Sequence, residues 1–433
     1  MTSAFVDRTL RRVAPGGAVL LALENHFNPT IALSGALRAG PVHAPADNPI
    51  VASLTAHMLE KGTRRRSKLE IAEELESRGI GISFSASGGD PDLLDISVTS
   101  LSRDAGIAVG ALVEMLREPV FPAEELEKEK ERLAGSVRQL ADQTGWRAST
   151  AASRRLYAPG HPYFARSAEE ILEALSRTTR DELVRFHRAH YGSAGLVIAA
   201  VGDLDREAFT DDLARRIEGF AADAPLSELA VPSPRPSAAG REIVMMKDKV
   251  NADVVLCRDG GLRKADPDFL ATALGISALG QSTLSSRLGL RVRDTLGLTY
   301  GINARIAAGR FAGPFSISLT VAPENLTKAV DAARAVLSEF LETGITEAEM
   351  TSEKRSRIGK FKVDLASNAG IAGALESAES YGFGVSYLDE MPARVDRIPR
   401  EEINEAVARH IRVDDLVEVA AGSFPPEAAP GSA

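Results

Sequence analysis

Apolar residues recur along this chain with two periods, and the switch between them is sharpest in the segment from Arg287 to Ile302. Leu284, Leu288 and Val292 fall every four residues, one stripe of a helix. Gly297 then offers the left-handed stop that many helices use at their C-terminus. Beyond it the period becomes two, with Leu298, Tyr300, Ile302, Ala304 and Ile306 alternating with Thr299, Gly301, Asn303 and Arg305. The pattern predicts a helix, a glycine turn and a half-buried strand. Arg293 falls in the last helical turn and Tyr300 near the start of the strand, close enough to converge on one bound group. Spacing alone favours packing for both: Tyr300 shares a face with aliphatic residues, and an arginine near a helix C-terminus answers the negative end of the helix dipole.

The same reasoning predicts strands over 18–23, 30–35, 80–86, 93–101, 195–201 and 315–321. Helices are predicted from Pro49, capped by Asp47 or Asn48, to a stop at Gly62, and from Lys68 to Arg78, Glu124 to Gln143 and Ala148 to Tyr157, with others opening at Asp104, Asp181 and Asn325. Between Ala224 and Gly240 the pattern fades into Pro225, Pro232, Pro234 and Pro236 among serines and alanines, a semi-extended linker. The two sides of that linker resemble each other. Glu118–Leu126 parallels Glu342–Met350 at an offset of 224, while Asp181–Leu183 parallels Glu401–Ile403 and Val201–Asp203 parallels Ala421–Ser423 at 220. Strands and helices come in segregated groups. The expected class is α+β: two homologous domains, 1–223 and 241–433, each a mainly antiparallel sheet packed with helices, joined by a Pro-rich linker over 224–240.

Bulk properties narrow the function. With 433 residues the chain is long enough for two cores, and 44% hydrophobic and 26% charged residues are ordinary for a soluble globular protein. A formal charge of −9 argues against nucleic-acid binding. No apolar run reaches membrane-spanning length, and no signal-peptide order is visible at the N-terminus, so no membrane association and a cytoplasmic location are expected, with a processed, exported form as the alternative. Cys257 is the single cysteine, which excludes a disulfide framework or a cysteine metal cluster. Seven histidines are scattered and no two stand four apart as a ready metal pair.

Taken together, several segments resemble the insulinase/pitrilysin-type zinc metallopeptidases, in particular short bacterial members with two homologous domains. The segment 56–63 (Ala-His-Met-Leu-Glu-Lys-Gly-Thr) is similar to the end of that family's metal helix, and 79–87 to its substrate-pairing edge strand. Gly160-His-Pro-Tyr163 and the run 279–288 also fit. The resemblance implies peptide contacts at Ser85 and Ala86 in the edge strand and at Gly280 in a glycine-rich loop.

Active members carry His-x-x-Glu-His, two histidines on one helical face that bind zinc and a glutamate that activates water. In the register set by Gly62-Thr63, this chain has Ser53 and Ala56 at the first ligand and the general base, and only His57 is kept. Aligning the acidic run Glu127–Glu129 puts Ser136 at the last ligand, with Arg138 as the other register. Neutral serine is a poor zinc ligand and alanine cannot take a proton. The family's second-half Arg and Tyr, seven residues apart, match Arg293 and Tyr300. The resemblance therefore implies a non-catalytic subunit of a heterodimeric zinc endopeptidase, with no metal of its own. A homologous partner would hold the zinc, a peptide would be the substrate, and Arg293 and Tyr300 would bind it in trans. The alternative is an inert clamshell protein that binds a peptide or acts structurally as a homodimer. A third reading keeps enzymatic activity with a displaced metal site at His57 and Glu60.

Overall fold

The computed structural model of the chain describes residues 4–86, 89–235, 239–282 and 285–424. Leu284, part of the helical stripe above, and Ser87, the end of the predicted edge strand, lie outside them. Two compact units form, each around one sheet. The first sheet contains β1 (Thr9–Val13), β2 (Val19–Glu24), β3 (Thr30–Leu37), β4 (Gly81–Ser85), β5 (Leu94–Leu101) and β6 (Leu196–Gly202), in the order β1-β2-β6-β3-β5-β4. The second contains β7 (Gly240–Met245), β8 (Ala252–Leu262), β9 (Gly301–Ala308), β10 (Ala312–Val321) and β11 (Val417–Gly422), in the order β7-β11-β8-β10-β9. Each sheet is antiparallel except for one pair, β2–β6 in the first and β7–β11 in the second. From β2 onward the two topologies coincide strand for strand, with β4 and β9 as corresponding edges. The α+β class and the internal repeat are therefore features of the fold.

The central strands explain how the units are closed. In β6, Leu196, Ile198 and Ala200 face one core, while the alternate residues Val197, Ala199 and Val201 face another. A strand covered on both faces reads as an unbroken apolar run, and all of β6 is buried. The first core is closed by helices that include Val51–Met58 and Ala105–Arg117. The second is closed by Ile371, Ala372, Leu375 and Ala378 of helix Asn368–Ser380, which comes from the far end of the chain. The second unit shows the reverse exchange. Its β11 and β8 bury Val417, Val419, Ala421, Val255 and Cys257 against Ala148, Ala152 and Leu156 of helix Thr144–Leu156. The compact units are thus 1–135 with 171–230 and 360–391, and 136–170 with 231–359 and 392–433. They differ from the contiguous halves 1–223 and 241–433 because each half contributes a helix to the other half's sheet.

The repeat extends to polar ties between helices. In the first unit Lys68 Nζ meets Glu125 at 2.6 Å, and His57 Nδ1 meets Glu129 at 2.7 Å. In the second, Arg287 Nε meets Glu349 at 2.7 Å, and the Ser277 hydroxyl donates to Glu353. The offset of 224 relates both glutamate pairs.

Truncating Leu375, fully buried in the second core of the first unit, to alanine is expected to cost about 2–5 kcal/mol. Urea denaturation followed by exchange protection of β2 and β6 would show it. Unchanged protection in those strands would mean that the helix is not needed to cover them.

Candidate functional site

In the first unit a cavity of about 500 Å³ lies between helix Val51–Met58, helix Ala123–Ala141 and edge strand β4. Ala56, His57, Glu60, Lys61, Ser83, Phe84, Glu129 and Arg132 are among its lining residues. Helix Val51–Met58 is apolar on most positions and buries Val51, Leu54 and Met58, which leaves His57 on the open side with its side chain 25% exposed. Helix Ala123–Ala141 is charged on its outer face and buries Glu129, which is 6% exposed.

The Glu129 carboxylate organises the cavity. A carboxylate only accepts, so His57 Nδ1 donates to Oε1 at 2.7 Å. Arg132, one helical turn beyond Glu129, donates its Nε to both carboxylate oxygens at 3.1 and 3.0 Å. Its Nη2 also donates to Oε1 and stands 3.0 Å from His57 Nδ1. Burial pushes the Glu129 carboxyl up, but the hydrogen bonds from Arg132 and His57 outweigh it and hold the pKa below the usual range.

In the register of the sequence analysis Ser136 stands at the last metal-ligand position, where a neutral hydroxyl is a poor ligand. Ser136 lies about two turns further along the same helix, within the segment assigned to the other unit, and it is Glu129 that meets the imidazole. The signal was present, since Glu129 belongs to the acidic run used to set the register, and an arginine three residues on is its natural helical partner. Ser53 sits one turn before His57 in the same helix, and Ala56 is buried at the cavity wall. From the edge strand, Ser83 and Phe84 line the cavity; Ser85 ends the strand opposite Asp95, and Ala86 is 1% exposed.

In the second unit the helix carrying Arg293 is wound with π geometry over Gly289–Thr295. Leu296 N donates to the Arg291 carbonyl and the Thr295 hydroxyl to that of Leu290, both five residues back. Gly297 stops it at φ +63°, as the sequence pattern required. Arg293 Nη1 reaches Asp294 at 3.2 Å. The strand begins at Gly301, one residue beyond Tyr300. Thr299 turns inward instead, with its hydroxyl 2.6 Å from the Thr320 carbonyl, so Tyr300 leaves the apolar face of Ile302 and Ala304. The tyrosine is 83% exposed, and its hydroxyl has no partner among the described residues. Gly280 is buried in a second π segment, Ser277–Gln281, where a Cβ would come within 2.6 Å of Ala304. Close packing against β9 accounts for that glycine.

The start of the Arg293 helix is held firmly. Arg287 donates to both oxygens of Glu349 at 2.7 Å, to the Gly344 carbonyl at 2.7 Å and to Thr343 at 3.1 Å, and its guanidinium lies 4.8 Å from the Phe340 ring centre. Glu349 also closes a capping box, accepting from the Thr346 amide at 2.8 Å and from its hydroxyl at 2.9 Å.

A two-unit fold of this topology, with a cavity between helix Val51–Met58 and an edge strand, is that of the insulinase class of peptidase folds. Residues 20–157 match the family model described as insulinase, peptidase family M16, and residues 177–357 match the one described as the M16 inactive domain. The chain belongs to peptidase family M16. A Helicobacter pylori protein named as a non-peptidase homologue, YmxG, is 24% identical over 400 residues, which cover 91% of this chain and 89% of that one. An uncharacterized zinc protease of Streptomyces coelicolor is 24% identical over 360 residues, 82% of this chain and 76% of its own. The crystal structure of an M16 inactive domain from Pseudomonas fluorescens superposes with a TM-score of 0.88 and 27% identity, covering 96% of this chain and 98% of the other. Among the described residues no helix is long and apolar enough to cross a membrane.

Family membership raises the question of zinc, and the donors around His57 do not fit it. A zinc site in such a cavity needs at least three imidazole, carboxylate or thiolate ligands. Among the described residues the one group of three such donors that could share an ion is Glu24, Asp205 and Glu207, none of which lines this cavity.

Burial raises the Glu349 pKa, but Arg287 and Thr346 more than offset it, and the carboxyl titrates at about 2. Its folded value lies below the ordinary 4.5. The stability it contributes is therefore complete above that pH and lost as pH falls toward 2. Glu349→Gln is expected to flatten the dependence of the unfolding midpoint on pH between 5 and 2, measured by thermal melts. A parental slope in the variant would disprove the assignment.

Proposed function

We propose that this chain is the non-catalytic subunit of a heterodimeric zinc endopeptidase and contributes Arg293 and Tyr300 to a site whose metal is held by a homologous partner. The observation that carries the reading is Tyr300. A tyrosine in an otherwise well-packed unit stands 83% exposed with no partner for its hydroxyl among the described residues, seven residues after an arginine, as in the family's pair. His57 without a second histidine, and Glu129 already held by Arg132, support the complementary half of the reading, that this chain binds no zinc and hydrolyses nothing alone.

Zinc, when bound in the partner, supplies the activated water. What this chain adds is hydrogen-bond donation. The Arg293 guanidinium and Tyr300 phenol are aimed at a peptide carbonyl oxygen and at the negative charge that grows on it during attack. Such donors act on the barrier, each typically contributing about 2.7–4 kcal/mol. A peptide substrate laid in extended form along a sheet edge would bring successive carbonyls past them.

The test is reconstitution with a homologue that has an intact His-x-x-Glu-His helix. Neither chain alone should cut a quenched peptide, and the purified chain described here should carry no stoichiometric zinc. The mixture should cut, and Arg293→Ala or Tyr300→Phe should each lower kcat about a hundredfold while the complex still assembles by size-exclusion chromatography. Full activity with both variants would remove the proposed role. A stable homodimer that ignores every zinc-bearing homologue would favour an inert peptide-binding protein instead.

A further inference from the structure

We propose that Arg132 closes the His57 cavity to divalent cations. The missing ligands are one reason why this unit would lack a metal; the guanidinium is a second and independent one. Arg132 holds both oxygens of Glu129, the carboxylate closest to the imidazole, through Nε at 3.1 and 3.0 Å. It also sets a fixed positive charge 3.0 Å from His57 Nδ1. The cavity wall carries four permanent cations, Lys61, Lys68, Lys128 and Arg132, against three carboxylates, Glu60, Glu125 and Glu129. Each of those carboxylates already faces a cation: Glu60 meets Lys61, Glu125 meets Lys68, and Glu129 meets Arg132. A divalent ion entering here would find no uncommitted negative charge.

Glu129 acts on any metal at His57 whether it binds directly or orients the ring from behind. In the second case a carboxylate that accepts the other imidazole proton raises the ring's basicity, and losing such a partner typically weakens metal binding about 10–100-fold. In either geometry Arg132 takes up the charge of that carboxylate, although the His57 hydrogen bond is kept. The contact with Glu129 lies within one helical turn, and the Arg132 side chain is 56% exposed, so its replacement leaves the fold standing. The inference concerns this chain alone and holds whether or not a partner subunit supplies zinc elsewhere.

The experiment uses Ser53→His, which places a second imidazole one turn from His57, in the full-length protein. Zinc affinity is read by competition with a chromophoric chelator, and cobalt(II) spectra report coordination. Ser53→His with Arg132→Ala is expected to bind zinc at least tenfold more tightly than Ser53→His alone. Adding Glu129→Gln to that pair should abolish the gain. Arg132→Gln in place of Arg132→Ala should reproduce the gain and guards against an alanine-specific folding defect. Equal affinity with and without Arg132 overturns the proposal. So does a gain that survives Glu129→Gln, or the absence of zinc binding in every variant.

Discussion

In the first unit two strands, β2 and β6, are apolar on both faces, and much else about this molecule follows from the need to cover such strands. In β6 alternate residues serve two different cores, and β11 is buried along its whole length. An uncovered face of Leu21, Leu23, Val197, Ala199 and Val201 would leave a wide apolar surface in water. The chain solves this by sending helix Asn368–Ser380 to the first sheet and helix Thr144–Leu156 to the second. The small side chains Ala148, Ala152, Ala372 and Ala378 let these helices lie close to the strands.

The same repeated frame carries one polar device in two forms. A glutamate on the long charged helix reaches a polar side chain on the shorter apolar one: Glu129 to His57 in one unit and Glu353 to Ser277 in the other. Because the serine version needs no imidazole, the tie is at root a way to fasten two helices. Chemistry is an elaboration of it. In the first unit the imidazole remains but Arg132 has joined the carboxylate; in the second the neighbouring tie, Arg287 to Glu349, fixes the start of the helix that bears Arg293.

Much of this was legible in the sequence. Periodicity found β2, β3, β5, β6 and β10 within a few residues, because long apolar or alternating runs leave little ambiguity. It also located the stop at Gly297, where a positive φ is required. It could not see the exchange of helices, since nothing in an amphipathic pattern says which sheet it will cover. It extended the strand after Gly297 back through Tyr300 to Leu298, because alternation alone cannot tell that a buried hydroxyl at Thr299 turns the backbone first. Gly280 looked like a loop glycine, whereas the nearness of Ala304 is a tertiary fact. The His57 neighbourhood was legible through its register with a family, but its hydrogen bond to Glu129 was not, because register arguments count residues and do not measure distance.

The exchanged helices also fix an order of events during synthesis. Strand β6 is complete at Gly202, but the helix that covers its second face ends only at Ser380. At a ribosomal rate of about 5–20 residues per second, the first sheet waits on the order of ten seconds or more, half dressed, before its last layer leaves the exit tunnel. A nascent chain in that interval presents an apolar surface of the kind that holdase chaperones bind, and the sheet reaches its final state only after helix Asn368–Ser380 has emerged.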